Sequence, residues 1–171
     1  MDIKSEKIML VGKAACGKDF LSNWLINKGL KKAVSYTTRP MRDGEVNGID
    51  YHFISEQDFL KMDMNGEFYE SEKFNDWYYG SSKIDFDNSN LFIKTPSGIL
   101  NINEDDRKNC FIVYLDIDED VRKSRLMLRS DADLVDRRII ADNLDFTNFR
   151  EYDMRITDSD FDPQMIYDFM D

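Results

Sequence analysis

The stretch KIMLVGKAACGKDFL, Lys7–Leu21, constrains the chain more than any other. Ile8–Val11 is a short continuous apolar run, as expected of a strand buried on both faces. Directly after it come Gly12, four further residues, Gly17 and Lys18. Phe20, Leu21, Trp24 and Leu25 then recur at helical spacing until Gly29 stops the pattern. A strand that turns through small residues into a helix aims several backbone N–H groups, and the positive end of the helix dipole, at one spot. The segment therefore reads as a phosphate loop in which Lys18 reaches the β- and γ-phosphates of a nucleotide. Taken alone, the spacing also suits a plain glycine-rich turn. Its last position normally carries the Ser or Thr whose hydroxyl holds Mg²⁺, and here it is Asp19.

The rest of the chain continues the alternation. Ala33–Ser35, Leu91–Ile93, Cys110–Leu115 and Met154–Ile156 are candidate strands. Helical stretches are predicted over about Glu56–Met64, Glu119–Leu128, Leu134–Phe149 and Pro163–Met170. Strands alternating with helices imply an α/β fold with a parallel sheet. Between Ser35 and Ser82 the pattern changes to aromatic and polar residues with turn signals at Asp43-Gly44 and Asn47-Gly48, which predicts a small inserted subdomain. Trp24 reads as core, Trp77 as packing, and His52, the sole histidine, as a strand residue.

With 171 residues, 42% of them apolar and only 3 prolines, the chain suits one folded domain. Two cysteines give no disulfide framework, no apolar run approaches a membrane span, and the N-terminus lacks a signal-peptide pattern. A cytoplasmic protein with no membrane partner is expected. The formal charge of −11 excludes a nucleic-acid polymer as the expected partner but not a mononucleotide. The scarce cations gather at Lys13 and Lys18, at Arg39 and Arg42, and along Arg125–Arg138. Arg39 and Arg42 lie in a turn-rich loop at a spacing that suits one phosphate dianion, and Tyr51 and Tyr79 can add phenolic O–H donors.

Ser35–Phe53, SYTTRPMRDGEVNGIDYHF, closely resembles the GMP-binding segment of guanylate kinases. Glu67–Ser82, EFYESEKFNDWYYGSS, continues the resemblance, and the phosphate loop precedes both in the right order. The likeness is close over about residues 6–82 and looser beyond. It implies a phosphate-loop NTPase-type core (1–34, 83–118 and 151–171), a GMP-binding region (35–82) and a helical lid (119–150). It implies transfer of the ATP γ-phosphate to GMP or dGMP with Mg²⁺ as cofactor, by a monomer or homodimer. The ATP contacts would be Gly12, Lys13, Ala14, Ala15, Cys16, Gly17, Lys18 and Asp19, with Arg129 from the lid. The GMP contacts would be Ser35, Arg39, Arg42, Tyr51, Glu70, Tyr79, Ser81 and Thr95. Glu70 matches the carboxylate that reads the N1–H and 2-amino edge of guanine. Lys18, Arg39, Arg125 and Arg138 would serve catalysis by neutralising charge, with Arg137 matching the pattern less closely.

The chain departs from the family at NLFIKTPSG, where Ile93 and Thr95 stand at the positions of a customary acidic pair. Asp19 is read as the relocated metal-organising group, with Asp116 as a second candidate and Asp118 close by. Asp19 as a simple helix-start residue is the competing reading. Two other functions stay open: an inactive protein-binding module of the same fold, and a kinase of broader monophosphate specificity.

Overall fold

A computed structural model describes residues 6–74, 76–129 and 132–169. In chain order its elements are β1 (Lys7–Gly12), α1 (Lys18–Asn27), β2 (Tyr36–Thr37), β3 (His52–Phe53), α2 (Glu56–Met64), β4 (Phe68–Phe74), β5 (Trp77–Ser82) and α3 (Lys83–Asn88). There follow β6 (Leu91–Ile93), α4 (Pro96–Leu100), α5 (Glu104–Arg107), β7 (Cys110–Leu115), α6 (Glu119–Met127), α7 (Ala132–Asp145), β8 (Met154–Ile156) and α8 (Gln164–Tyr167). The chain divides into two units, Met1–Leu30 with Ile93–Asp171, and Lys31–Phe92.

The first unit is built on the sheet β6-β1-β7-β8. β1 pairs with β7 in parallel from Lys7↔Cys110 to Gly12↔Leu115, and β7 pairs with β8 in parallel. Ile8, Met9, Leu10, Val11, Ile112, Val113 and Leu115 are all inaccessible to solvent, as a parallel strand covered on both faces requires. Leu21 and Leu25 of α1 and Ile166 of α8 join that core. Lys94 N–H donates to the Leu10 carbonyl and brings the end of β6 alongside β1.

The second unit holds the sheet β3-β2-β5-β4. Its strands are short, and aromatic rings supply the packing. Phe59 of α2 stacks on Phe68 and Tyr78, and Tyr36 packs against His52 and Phe68. Ser55 caps α2 by accepting from Asp58 N–H at 3.1 Å.

Several expectations are corrected. Ala33–Ser35 is not a strand; an isolated bridge at Lys32 precedes it, and β2 begins at Tyr36. The strand forms where partners exist on both sides, Tyr36 opposite His52 and Gly80. Trp24 is half-buried rather than core, edge-on to Tyr167 with the Lys28 ammonium over its ring. Phe20 is exposed beside Phe161, and Trp77 is exposed at the start of β5. The last helix is shorter than Pro163–Met170, and Met170 lies outside the described residues, as do 130 and 131 of the predicted lid.

At Gly12, the end of β1, there is no room for a side chain. A Cβ there would meet Cys16 Sγ at 2.5 Å and the Leu115 carbonyl oxygen at 2.8 Å. Backbone cannot give way as a flexible side chain can. Gly12→Ala is therefore expected to destabilise the chain by about 1–3 kcal/mol, read by urea unfolding. An unchanged unfolding midpoint would contradict this packing.

Candidate active site

The loop after β1 has two halves held in different ways. The second half opens α1. Gly17 sits in the left-handed region at φ 103°, which turns the chain into the helix. The first turn of any helix lacks intrahelical acceptors, so the N–H groups of Lys18, Asp19 and Phe20 face outward at its positive end. Lys18 Nζ donates to the Gly12 carbonyl, to the Lys13 carbonyl at 3.2 Å and to Cys16 Sγ at 3.6 Å. The ammonium is thus folded against its own loop, among the groups that would cradle a phosphate.

The first half is held by distant helices. Ala14 and Ala15 pack against Leu126, Val135 and Ile139. Arg125 Nη1 donates to the Ala15 carbonyl at 3.0 Å. Ala14 N–H donates to Asp142 Oδ2 at 2.8 Å, and Lys13 Nζ donates to Asn143 Oδ1 at 3.1 Å. Ala15 itself adopts φ 60°. Arg125 therefore lies against the loop, whereas Arg129 beyond α6 and Arg137 and Arg138 on α7 are exposed.

In the second unit the strand register gathers the predicted acceptor residues. Glu70 is opposite Ser81, Glu72 opposite Tyr79, and Tyr79 opposite Thr37. Directly paired residues, and residues two apart on one strand, share a sheet face. Glu70, Ser81 and Tyr79 therefore stand on one face. A β-bulge between Phe68 and Glu70 makes this possible. Phe68 is opposite Ser82, so it turns to the other face, where Phe59 stacks on it. The Tyr51 ring lies 6.1 Å from that of Tyr79.

Arg39 is buried, and its guanidinium sits 5.5 Å from the Tyr51 ring centroid and 5.6 Å from that of Phe53. Its fork engages Glu45, with Nη1 to Oε2 at 3.1 Å and Nη2 to Oε1 at 2.6 Å. Glu45 Oε2 also accepts the Arg42 N–H at 2.7 Å. One carboxylate thus ties both predicted phosphate arginines together. Burial pushes the Glu45 carboxyl up, but the Arg39 hydrogen bonds, the Arg42 N–H and the two positive charges outweigh it and leave it below the usual value. Sequence reasoning missed Glu45, although an acid just past two arginines in a turn is a readable signal. It also missed Asp142 and Asn143. Ser35 contributes a carbonyl that accepts from His52 N–H at 2.9 Å.

The Thr95 hydroxyl caps α4, accepting from Gly98 N–H at 3.0 Å. Asp19 is exposed in the first turn of α1. Asp116, the second metal candidate, accepts from Arg155 Nε at 2.9 Å, Arg155 Nη2 at 2.6 Å and the Tyr114 hydroxyl at 3.1 Å. That makes it the anchor of a salt bridge between β7 and β8. Asp118 caps α6. Among the described residues no group of three or more His, Cys, Asp or Glu converges as a metal site. Mg²⁺ in nucleotide sites is held by one or two carboxylates with phosphates and waters, so Asp19 fits such a role by its chemistry and its place. No helix among the described residues is long and apolar enough to cross a membrane.

A buried parallel strand, a phosphate loop and a helix, with an arginine-bearing helix against the loop, define a phosphate-loop nucleotide-binding protein. Comparison with known proteins narrows this class. Residues 4–167 match the guanylate kinase family, and the chain belongs to that family. It is 30% identical over 170 residues to the guanylate kinase of Helicobacter hepaticus, covering 92% of this chain and 84% of that protein. It is 26% identical to the guanylate kinase of Vibrio parahaemolyticus, covering 90% and 80% respectively. The fold is similar to the crystal structure of guanylate kinase from Anaplasma phagocytophilum. That match has a TM-score of 0.71 and 21% identity over 96% of this chain and 82% of the other.

The Glu45 clamp has a signed pH signature. A carboxyl titrating below its usual value contributes stability that is present above that value and lost as pH falls through the folded one. Glu45→Gln is expected to cost about 1 kcal/mol at pH 7 after solvent screening. The gap in melting temperature between variant and wild type should shrink as pH drops below the usual 4.5. A gap that is constant down to acid pH would show that the carboxylate charge does not hold Arg39.

Proposed function

We propose that this chain transfers the γ-phosphate of ATP to GMP or dGMP, giving ADP and GDP or dGDP. The observation that carries this reading is the shared sheet face of Glu70, Ser81 and Tyr79 beside the Arg39–Glu45–Arg42 cluster, in a protein of the guanylate kinase family that also has a lysine-bearing phosphate loop. In this reading residues 35–82 bind GMP, 119–150 form the lid, and 1–34, 83–118 and 151–171 form the core. The loop residues Gly12 to Asp19, Lys18 among them, hold the ATP phosphates, with the donors coming from Lys18 and the first amides of α1. Arg125, Arg129 and Arg138 neutralise charge on the transferring group, which is the main demand of phosphoryl transfer. Arg39, Arg42, Tyr51 and Tyr79 hold the acceptor phosphate, Glu70 reads the base, and Ser35, Ser81 and Thr95 complete the GMP contacts. Asp19 would hold Mg²⁺, which supplies charge neutralisation at the phosphates when bound. The chain works in the cytoplasm as a monomer or homodimer.

The reading is tested by coupling ADP release to a panel of GMP, dGMP, AMP, CMP and UMP. GMP or dGMP should be the preferred acceptor, and no release with any of them would favour the inactive binding module instead. Guanine offers two donors on one edge, and a buried acceptor left unpaired costs about 1–3 kcal/mol, or roughly ten- to hundredfold in preference. Glu70→Gln should therefore lower the GMP-to-AMP ratio of kcat/KM by roughly that factor. An unchanged ratio removes Glu70 as the base reader.

Asp19 carries its own test. Asp19→Ala should lower kcat about tenfold or more and shift the Mg²⁺ dependence upward, with less harm to metal-free nucleotide binding, because the loop amides remain. A variant that titrates with Mg²⁺ like wild type and keeps its rate would leave Asp19 as a helix-start residue only.

A further inference from the structure

We infer that Asp142 and Asn143 are positioning residues that latch helix α7 onto the first half of the phosphate loop, so that the later amides of the loop stay aimed at ATP. The inference rests on the functional reading above only in taking ATP as the loop's ligand. Asp142 Oδ2 accepts the Ala14 N–H at 2.8 Å, a charge-assisted bond between groups 128 residues apart. The neighbouring Asn143 accepts from Lys13 Nζ at 3.1 Å and donates to Glu119 Oε2 at 3.2 Å, which ties α7 to α6 as well. The Lys13 ammonium also lies 5.9 Å from the Phe146 ring centroid. Beneath these polar contacts, Ala14 and Ala15 rest on Leu126, Val135 and Ile139.

The division of labour follows from which amides are engaged. Ala14 N–H is taken by Asp142, and Cys16 N–H turns back to the Lys13 carbonyl at 3.3 Å. The N–H groups at the start of α1 come later in the loop and have no intrahelical acceptors. A half-buried amide that lost its carboxylate would seek another acceptor, and rotation of the Lys13–Ala14 peptide would carry the rest of the loop with it. Ala15 at φ 60° is a conformation that alanine holds only where its surroundings over-determine it, and here α6 and α7 supply those surroundings. The same helix carries Arg137 and Arg138. The latch therefore fixes the lid arginines and the ATP loop as one body.

The test measures binding of a fluorescent ATP analogue without GMP, alongside steady-state kinetics and melting temperature. Asp142→Ala should weaken ATP binding roughly tenfold, raise the ATP KM to match and leave the GMP KM unchanged. Asp142→Asn should return both values to within about twofold of wild type, since an amide carbonyl still accepts from Ala14 N–H. Asn143→Ala, at an exposed position, should weaken ATP binding roughly threefold and carries the test should Asp142→Ala not fold. Unchanged ATP binding in a folded Asp142→Ala would overturn the inference. Tighter binding would overturn it too, by making the carboxylate a competitor of phosphate. Failure of the wild type to phosphorylate GMP would sink the functional reading and leave the binding result standing.

Discussion

Every phosphate this protein binds must be held against its own excess of negative charge. There are 34 acidic residues and 23 basic ones, for a formal charge of −11. A free arginine in such a chain has many carboxylates to fall onto. Three of the cations picked out for phosphate, taken from the two units, are each restrained by a specific acceptor. Arg39 is forked onto Glu45, Lys18 is folded onto the carbonyls of its own loop, and Arg125 is held by the Ala15 carbonyl. Two of these three acceptors are backbone carbonyls, which orient a cation without neutralising it. Glu45 does neutralise Arg39, and it also accepts the Arg42 backbone N–H, so one carboxylate holds the Arg39 side chain and the Arg42 backbone together.

What could be read from the sequence was what local pattern determines. β1, the loop and α1 follow from an apolar run, two glycines and a helical repeat. The helix at Glu56–Met64 appears where it was predicted, because its serine cap and its periodicity agree. β2 was misplaced by the same logic. Ala33–Ser35 has a fair strand composition, but strand pairing depends on partners, and those partners, β3 and β5, come from far along the chain. Trp24 was misjudged because helical spacing gives a face but not the height of the protein packed against it.

The site was legible as a set of residue types and not as an arrangement. Arg39, Arg42, Glu70 and Tyr79 were picked out, yet nothing in the sequence announced the bulge that sends Phe68 and Glu70 to opposite faces. Without it, two residues of like parity on one strand would face the same way. The contacts of Asp142 and Asn143 were equally hidden. In a chain so rich in acids a helix-surface aspartate carries no signal of its own, and only the folded chain brings it to Ala14 N–H.

The second unit illustrates how short strands can still hold side chains in place. β2 and β3 have two residues each, too few for ladder hydrogen bonds to fix them well. Rings do the fixing on the face away from the candidate site, where Phe59 stacks on Phe68 and Tyr78 with ring centroids 4.4 Å and 5.3 Å from its own. Gly80 admits this packing, since a Cβ there would meet Phe68 Cδ1 at 2.9 Å. Rigid aromatic packing loses little rotamer freedom on ordering. Glu70 is therefore positioned by the neighbour it is separated from by the bulge: Phe68 anchors the strand on one face, and the extra residue delivers the carboxylate to the other. Packing, register and the chemistry of the site are in this way set by a single irregularity in β4.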